Sequence, residues 1–437
     1  MTAPKIIHFI GIGGIGISAL ARWFKTQGYI VQGSDLSPSI ITRELEHEGI
    51  KIAIGPHDAA NITKKINRII YNQAIPQDNV ELRAAKKLEI PTSSYPRSIG
   101  ELTKIYKTIA IAGAHGKSTT TALIALIVQE ASFDPTVVVG TRLNEFNNKN
   151  FREGKSEYLV LEADEWKASF LHYLPYAALV TNIDHEHLDY YKNFAAIKKV
   201  FLQFIHNVNP EGFVVLNRDN KELASLESKI RRPIVWYSAN AKEAYEIKKI
   251  LKLPGAHNLS NAIGAYTFCR ALGIKKQTIL KAIGSYKGAW RRNEYRGTYN
   301  GTPVYDDYGH HPTEITATLG GVREQFPNKK IICVFQPHQR ERLKLLFKKF
   351  ITCFADADEL ILWDVYDVAG REEKENPYDS QALARAIERR TKKSVPVVNS
   401  IKELKSALST LHIPPSTAVI VMMGAGNINE QTEKLID

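Results

Sequence analysis

Two glycine-containing segments, each lying between a strand-like run and a helix-like run, constrain this chain more than any other feature. HFIGIGGIGISAL begins at His8, and IAIAGAHGKSTTT begins at Ile109. A strand, a tight glycine turn and a helix form the repeating unit of doubly wound α/β folds. The backbone N–H groups at such a helix N-terminus attract phosphate groups. The chain is therefore predicted to contain two separate phosphate-binding turns on α/β scaffolds.

Strands and helices continue to alternate along the whole chain, which predicts an α/β fold class. At roughly 150 residues per domain, 437 residues suggest about three domains. The stretch EIPTSSYPRSIGELTK is rich in Pro and Ser, and a first linker is expected near its end. A change to charged residues and hairpin-like glycines in KGAWRRNEYRGTYNG marks a second boundary. The runs KIICVFQ, ELILWDVY and AVIVMMG predict the strands of the last region.

Composition and charge narrow the class of protein. No apolar run reaches the roughly 20 residues of a membrane span, and no signal peptide is evident, so no membrane insertion is expected. The three widely spaced cysteines, Cys269, Cys333 and Cys353, are interpreted as reduced and structural, in a cytoplasmic protein. The net charge of +12 fits either a lysine-rich solvated surface or attraction of anionic substrates. Basic residues do not cluster beside aromatic ones, so no nucleic-acid partner is expected. Nothing in the sequence fixes an oligomeric state.

The first turn has the spacing Gly11-x-Gly13-x-x-Gly16. The first glycine allows a tight turn, the second lets the backbone approach a pyrophosphate, and the third allows close helix packing. Asp35 follows 19 residues after Gly16, at the end of the next predicted strand, where it could accept ribose hydroxyls. The spacing indicates a diphosphate rather than nicotinamide. A nicotinamide dinucleotide and a turn without ligand remain the alternatives.

The second turn departs from the usual phosphate loop, G-x-x-x-x-G-K-[ST]. Gly116, Lys117 and Ser118 are present, but Ile111 stands at the first glycine position and Gly113 comes later. The shorter turn still offers backbone N–H groups, a lysine for the β- and γ-phosphates and a hydroxyl for Mg²⁺. Since a strand precedes it and a helix follows, ATP binding is favoured over a chance match.

Two acidic segments follow predicted strands of the same region. LEADE provides Glu162, Asp164 and Glu165, and TNIDHEHLD provides Asp184, His185, Glu186, His187 and Asp189. The carboxyl ends of neighbouring parallel strands meet at one edge of a sheet, which favours a metal site over two solvated acidic loops. Mg²⁺ prefers oxygen ligands, so Glu162 is a more typical ligand than His187.

Taken in order, GIGGIGIS, AGAHGKSTTT, EADE, TNIDHEHLD, GAHNLSNAIGA and DDYGHHPTE resemble the Mur ligases of peptidoglycan synthesis. The resemblance runs across nearly the whole chain. DDYGHHPTE is the most specific of these motifs, and GIGGIGIS separates one branch of the family from the others.

The resemblance implies three domains and a reaction. It predicts a UDP-sugar-binding Rossmann-like domain over 1–104, a central P-loop ATPase-like domain over 105–294 and an amino-acid-binding Rossmann-like domain over 295–437. The substrates implied are UDP-N-acetylmuramate, ATP and L-alanine, with Mg²⁺ as cofactor. ATP would phosphorylate the lactyl carboxylate, and the amine would attack the acyl phosphate, because a free carboxylate lacks a good leaving group. Cations must neutralise the crowded oxygens around the transferring phosphoryl group.

The resemblance also assigns residues. The UDP-sugar would contact Gly11, Gly13, Gly14, Ile15, Gly16 and Asp35. ATP would contact Gly113, Ala114, His115, Gly116, Lys117, Ser118, Thr119, His257, Asn258, Asn261 and Arg292. Metal ligands would be Ser118, Glu162 and His187, and the amino acid would face Tyr308, His310 and Arg342. The catalytic set would be Lys117, Glu162, His187, His310 and Arg342.

Two positions depart from the family pattern. The family often reads FQPHR with a second arginine three residues later, and both hold the amino-acid carboxylate. Here Gln339 replaces the first arginine and Arg342 keeps the second, while Arg340 stands beside them. A neutral amide cannot form the bidentate charged pair of a guanidinium, so a weaker grip on alanine is expected. Lys167 stands where the family usually has a shorter polar or acidic residue.

Other functions remain open at this point. A related ligase that adds an intact murein peptide to UDP-N-acetylmuramate shares both turns, and would be stimulated by a tripeptide rather than by a free amino acid. A nicotinamide oxidoreductase would not need GKST. A non-enzymatic protein built on a decayed ligase is disfavoured by the intact Lys117, Glu162 and His310.

Overall fold

The computed structural model describes residues 4–187, 190–367 and 376–436. It separates into two compact units. One comprises Met1–His185, Phe194–Ala241 and Ala262–Ser285, and the other comprises Glu186–Asn193, Lys242–Asn261 and Tyr286–Asp437.

The first sheet of the first unit is parallel and doubly wound. Its strands are β1 (Ile6–Ile10), β2 (Ile30–Asp35), β3 (Lys51–Ile54), β4 (Arg68–Tyr71) and β5 (Thr92–Ser94), in the order β3-β2-β1-β4-β5. Its helices are α1 (Ile15–Thr26), α2 (Ile40–His47), α3 (Val80–Lys87) and α4 (Tyr95–Leu102). The run RIIY forms the fourth strand, β4. The sequence reading missed β3 because this edge strand is mostly exposed and carries a weak apolar pattern. Most of the Pro- and Ser-rich stretch is ordered as β5 and α4.

The described residues between 107 and 237 form a seven-stranded sheet. Its strands are β6 (Lys107–Ala112), β7 (Thr136–Leu143), β8 (Lys149–Arg152), β9 (Tyr158–Glu162), β10 (Ala177–Val180), β11 (Val214–Asn217) and β12 (Ile234–Tyr237). The order is β12-β11-β10-β6-β9-β7-β8, parallel except for the antiparallel β7–β8 edge hairpin. The helices of this part of the chain in the first unit are α5 (Lys117–Glu130), α6 (Phe194–His206), α7 (Lys221–Ala224) and α10 (Lys276–Ser285). Helix α8 (Ala244–Ile250) belongs to the second unit, and α9 (Ala256–Ala271) begins in the second unit and ends in the first. The strand β6 is central, and α5 after it is buried from Ser118 to Val128.

The third sheet lies in the second unit. Its strands are β13 (Glu294–Tyr299), β14 (Thr302–Asp307), β15 (Lys330–Phe335), β16 (Glu359–Trp363), β17 (Val397–Val398) and β18 (Ala418–Met423), in the order β13-β14-β18-β15-β16-β17. Only the β13–β14 pair is antiparallel among the described strands of this sheet. Its helices are α11 (Pro312–Gln325), α12 (Arg340–Leu345), α13 (Phe347–Phe350), α14 (Ser380–Thr391), α15 (Ile401–Thr410) and α16 (Ile428–Leu435).

The core of the third sheet follows the period of two expected of a strand covered on both faces. Ile331, Cys333 and Phe335 belong to one buried cluster, while Ile332 and Val334 belong to another on the opposite face. Such a strand is continuously apolar, which is why KIICVFQ could be recognised from sequence.

The predicted α/β class with a largely parallel sheet in each of three regions is confirmed. The predicted domain boundaries remain predictions, since the two compact units place the first two sheets together. All three cysteines are free and buried. In the part of the chain that the structure describes, no helix is long and apolar enough to cross a membrane.

Candidate active site

The second glycine turn connects β6 to α5 at the centre of its sheet. Gly113 and Gly116 have φ angles of +137° and +83°, a region that favours glycine. A Cβ atom at Gly113 would overlap the hydroxyl of Thr181, so that position also needs glycine for space. The turn is fixed by Asn182, whose main-chain carbonyl accepts from Ala114 N at 3.1 Å and whose Oδ1 accepts from the main-chain N of the next residue, His115, at 2.9 Å. Asn182 was not predicted from the sequence.

Lys117 is the first residue of α5 and lies within the turn. Its Nζ donates to the carbonyls of Gly113 at 2.7 Å and Ala114 at 3.2 Å, and to the Glu165 carboxylate at 2.8 Å. Burial by itself lowers the pKa of Lys117, but Glu165 and then Asp164 more than offset it and hold the pKa above its usual range. The amine is therefore a fixed positive charge in the turn.

Ser118 and Glu162 lie together beside this turn. The Ser118 hydroxyl donates to Glu162 Oε1 at 3.0 Å, and Gly140 N of β7 donates to Oε2 at 2.7 Å. A hydroxyl and a carboxylate are oxygen ligands of the kind that Mg²⁺ prefers, so this pair fits the predicted metal. His187, the third predicted ligand, belongs to the second unit. Asp189 lies outside the described residues.

The other predicted members of this group lie in the same turn or helix. His115 Nε2 is 2.9 Å from Asp184 Oδ2. Thr119 is buried in the first turn of α5. The carboxyl ends of β9 and β10, the strands on either side of β6, therefore bring acidic and amide side chains to the turn.

The first glycine turn connects β1 to α1. Gly11 N and Ile12 N donate to the carbonyl of Ser34 at 2.8 and 3.1 Å, and Gly13 N donates to Asp35 Oδ2 at 2.8 Å. A carboxylate oxygen of Asp35 thus ties the turn to the end of β2. The predicted role of Asp35 toward a ribose remains a prediction, and the structure adds this second role.

Space around the first turn is limited by two side chains. A Cβ at Gly14 would come within 2.5 Å of Asn72 Nδ2, and one at Gly16 within 2.8 Å of the Tyr95 hydroxyl.

The Ile15 carbonyl accepts from Asn150 Nδ2 of β8. The edge hairpin β7–β8 therefore contacts the start of α1, and at Gly140 it also holds Glu162.

In the second unit, the residues predicted to face the amino acid form one cluster. His310 Nδ1 is 3.1 Å from the Tyr308 carbonyl and 3.3 Å from Glu314 Oε2. Arg342 Nη1 is 3.2 Å from His338 Nδ1, and the His310 and His338 rings are 6.0 Å apart. Burial lowers the pKa of His310 to about 4, with Arg342 acting in the same direction, so the imidazole is neutral at pH 7.

Arg342 also lies beside the buried carboxylate of Glu186, a pairing that was not predicted from the sequence. Its Nη2 is 3.4 Å from Glu186 Oε2. Burial by itself raises the pKa of Glu186, but the nearby Arg342 and His310 outweigh this effect and lower the pKa to about 2. Arg340 is paired elsewhere, since its Nε donates to Asp367 Oδ2 at 2.9 Å. Gln339 is the N-cap residue directly before α12, with φ of +66°, and its N–H donates to the Tyr366 carbonyl at 2.9 Å.

The predicted adenine- and ribose-facing residues lie in the second unit. Asn258 Nδ2 donates to the Pro254 carbonyl at 2.8 Å, and both Asn258 and Asn261 are buried. Burial, and then the nearby Arg292, lower the pKa of His257 to about 4. The guanidinium carbon of Arg292 lies 5.2 Å from the centre of the Tyr308 ring. This places the predicted nucleotide arginine next to a predicted amino-acid residue.

Family models cover the chain in three consecutive pieces. The model described as "Mur ligase family, catalytic domain" matches residues 6–107, "Mur ligase middle domain" matches 111–269, and "Mur ligase, glutamate ligase domain" matches 291–426. The UDP-N-acetylmuramate–L-alanine ligase of Aquifex aeolicus is 37% identical over 99% of this chain and 97% of its own length. This chain belongs to the Mur ligase family.

Other relatives agree with that membership. The enzyme of the same name from Caldanaerobacter subterraneus is 38% identical over 99% of this Mur ligase and 97% of its own length. The crystal structure of UDP-N-acetylmuramate-alanine ligase from Thermotoga maritima superposes with a TM-score of 0.81 at 25% identity, over 98% of this chain and 97% of that one. A murein peptide ligase from Psychrobacter arcticus superposes with a TM-score of 0.72 at 22% identity, over 99% and 98%, and shows the shared fold. The resemblance inferred from the motifs is confirmed.

Proposed function

We propose that this Mur ligase uses ATP to join L-alanine to the lactyl carboxylate of UDP-N-acetylmuramate, in peptidoglycan precursor synthesis. The full-length similarity to relatives named for that reaction supports the substrates. The observation that carries the chemistry is the second turn, where Lys117 is held as a cation beside the oxygen pair of Ser118 and Glu162. The first turn supplies a separate site for the UDP-sugar.

In the first step, an oxygen of the lactyl carboxylate attacks the γ-phosphorus of ATP. The bond from that phosphorus to the bridging oxygen breaks, ADP leaves with the electron pair, and an acyl phosphate forms. Lys117 Nζ and the N–H groups at the start of α5 neutralise the phosphate oxygens. Mg²⁺ held by Ser118 and Glu162, with His187 proposed at a second metal position, would add positive charge there.

In the second step, the neutral amine of alanine attacks the acyl carbon. The attacking nitrogen releases one proton to solvent, the tetrahedral intermediate collapses, the carbon–oxygen bond to phosphate breaks, and the amide and inorganic phosphate remain. Arg342 holds the alanine carboxylate, while Tyr308 and the neutral His310 face the same substrate. Because the imidazole of His310 is neutral, it carries no positive charge that would compete with alanine for the carboxylate groups of the site.

The nucleotides are assigned to separate residues. The UDP-sugar diphosphate is held by the turn from Gly11 to Gly16, with Asp35 at the ribose. The ATP phosphates are held by the turn from Gly113 to Thr119. The adenine and ribose of ATP face His257, Asn258, Asn261 and Arg292. Since ATP is supplied in the cytoplasm and all three cysteines are free, we place the reaction there.

The test is phosphate release from ATP in the presence of UDP-N-acetylmuramate and a panel of acceptors. L-Alanine, glycine, L-serine and an intact L-alanyl-γ-D-glutamyl tripeptide are compared at equal concentrations. We expect L-alanine to be preferred. Stimulation by the tripeptide instead of alanine would show that the chain recycles murein peptides, and release that needs no UDP-sugar would contradict the ligase mechanism.

A further inference from the structure

Beside Arg342 lies a buried carboxylate to which the two steps above give no role. The Glu186 side chain belongs to the second unit and is 6% exposed. Its Oε2 accepts from the main-chain N of His187 at 3.2 Å and from Arg342 Nη2 at 3.4 Å. Among the described residues, nothing donates a hydrogen bond to Oε1. A carboxylate on so buried a residue is stabilised by every further donor that a ligand brings to it.

The charges around Glu186 come mainly from one group. Arg342 is the guanidinium in contact with it, and His310 and His338 have pKa values below the usual range because both are buried. The guanidinium carries five N–H donors, and the contacts with His338 and Glu186 do not use them all. A cation and an anion, each with unused hydrogen-bonding capacity, therefore stand as neighbours within the predicted amino-acid site.

An α-amino acid carries its ammonium and carboxylate on the same carbon, so a site that binds both needs an anion next to a cation. We propose that Glu186 binds the α-ammonium of the incoming amino acid through its carboxylate, while Arg342 binds the substrate carboxylate. This inference rests on the function proposed above and deepens it. When no amino acid is bound, Glu186 and Arg342 neutralise each other, so neither buried charge is left uncompensated.

The arrangement fits an amino-acid site in which Arg342 is the one arginine kept of the pair that the family resemblance implies. With Gln339 at the first arginine position, part of the recognition of alanine passes from its carboxylate to its ammonium. The site then selects for molecules that carry both charges on one carbon. L-Lactate, which has the carboxylate alone, and L-alaninol, which has the ammonium alone, separate the two halves of the site.

The variants Glu186→Gln, Glu186→Asp and Arg342→Gln test the inference. Hydroxylamine, a small neutral nucleophile with neither charge, traps the acyl phosphate as a hydroxamate and serves as the reference acceptor. In Glu186→Gln, the ratio of alanine to hydroxylamine turnover is expected to fall at least tenfold, through a raised KM for alanine. L-Alaninol should lose at least tenfold in inhibition, while inhibition by L-lactate stays equal or strengthens. Arg342→Gln should show the opposite pattern toward the two inhibitors.

Glu186→Asp keeps the charge and should restore part of the alaninol inhibition, which a merely structural role would not predict. Glu341→Gln is the matched control, because Glu341 lies on the same helix as Arg342, is 34% exposed and contacts Lys344. Unchanged alaninol inhibition in folded Glu186→Gln and Glu186→Asp, or equal loss of alanine and hydroxylamine turnover, would overturn the inference. Wild-type enzyme that prefers another acceptor to alanine would instead contradict the substrate proposed above.

Discussion

The two glycine turns have the same scaffold and opposite electrostatics. Each follows a parallel strand, β1 or β6, and precedes a helix, α1 or α5. In the first turn, the charged side chain that contacts the backbone is the carboxylate of Asp35, at 2.8 Å from Gly13 N. In the second, it is the ammonium of Lys117, at 2.7 Å from the Gly113 carbonyl.

This difference separates recognition from catalysis. A diphosphate that is only bound can be held by main-chain N–H groups and helix geometry. A phosphoryl group in transfer develops charge that needs a fixed cation and a metal. We therefore expect the first turn to be sensitive to lost space and the second to lost charge.

The largest effect is expected from removing the cation of the second turn. Lys117→Ala should lower kcat by roughly a hundredfold or more, since one such interaction contributes on the order of 3 kcal/mol to the barrier. Steady-state phosphate release with all three substrates measures it. Lys281→Ala is the control, because Lys281 is exposed and pairs with Glu130 at the far end of α5. Activity of Lys117→Ala within a few-fold of wild type would remove the distinction between the turns.

The next effect concerns space in the first turn. A Cβ at Gly13 would come within 2.9 Å of both Asp35 Oδ2 and Thr42 Cγ2. Gly13→Val should therefore displace the turn and raise the KM for UDP-N-acetylmuramate by more than tenfold, while the KM for ATP changes little. Kinetic titration of each nucleotide checks this, with thermal melting to establish that the variant is folded. An unchanged KM for the UDP-sugar in a folded variant would show that it binds elsewhere.

A smaller effect is expected at Gln339, where the family resemblance implies an arginine. Gln339→Arg should lower the KM for alanine roughly tenfold, because one charged hydrogen bond contributes about 1.5–3 kcal/mol. Arg340 does not already supply it, since it pairs with Asp367. The value of kcat should change little, as the carboxylate is held alike in the ground and transition states. A raised KM would indicate that the added guanidinium disturbs Arg342.

The smallest effect is expected from the charge of the first turn. Asp35→Asn keeps an oxygen that can accept from Gly13 N, so the loss should be about 1 kcal/mol, or roughly fivefold in the KM for the UDP-sugar. The same kinetic titration measures it. A loss as large as that of Lys117→Ala would mean that the first turn also depends on charge.

Local patterns were sufficient to predict most of the fold. The strand before each turn and the buried run KIICVFQ are strongly apolar, and the helices after the turns have clear starts. The edge strands β3 and β8 were missed because they are partly exposed and lack that pattern. Strand β7 was missed although it is apolar at its start and mostly buried. α4 was missed because the Pro- and Ser-rich stretch that contains it also fits a linker.

The site residues that local motifs assign stay predictions, and pairings between distant parts of the chain were not predicted at all. Lys117, Ser118 and Glu162 follow from local spacing and strand ends. The partner of Lys117, Glu165, appeared only as one acid among several. The pairing of Glu186 with Arg342 joins positions 156 residues apart, and local spacing carries no signal for it.

The central claim is that the two turns bind two different nucleotides, and crossed binding titrations test it most directly. Isothermal calorimetry would measure UDP-N-acetylmuramate and a non-hydrolysable ATP analogue against wild type, Gly13→Val and Lys117→Ala. We predict that Gly13→Val loses the UDP-sugar and keeps the ATP analogue, and that Lys117→Ala binds the UDP-sugar with wild-type affinity while binding the analogue more weakly. Loss of both ligands in either folded variant, or exchange of the two patterns, would contradict the account.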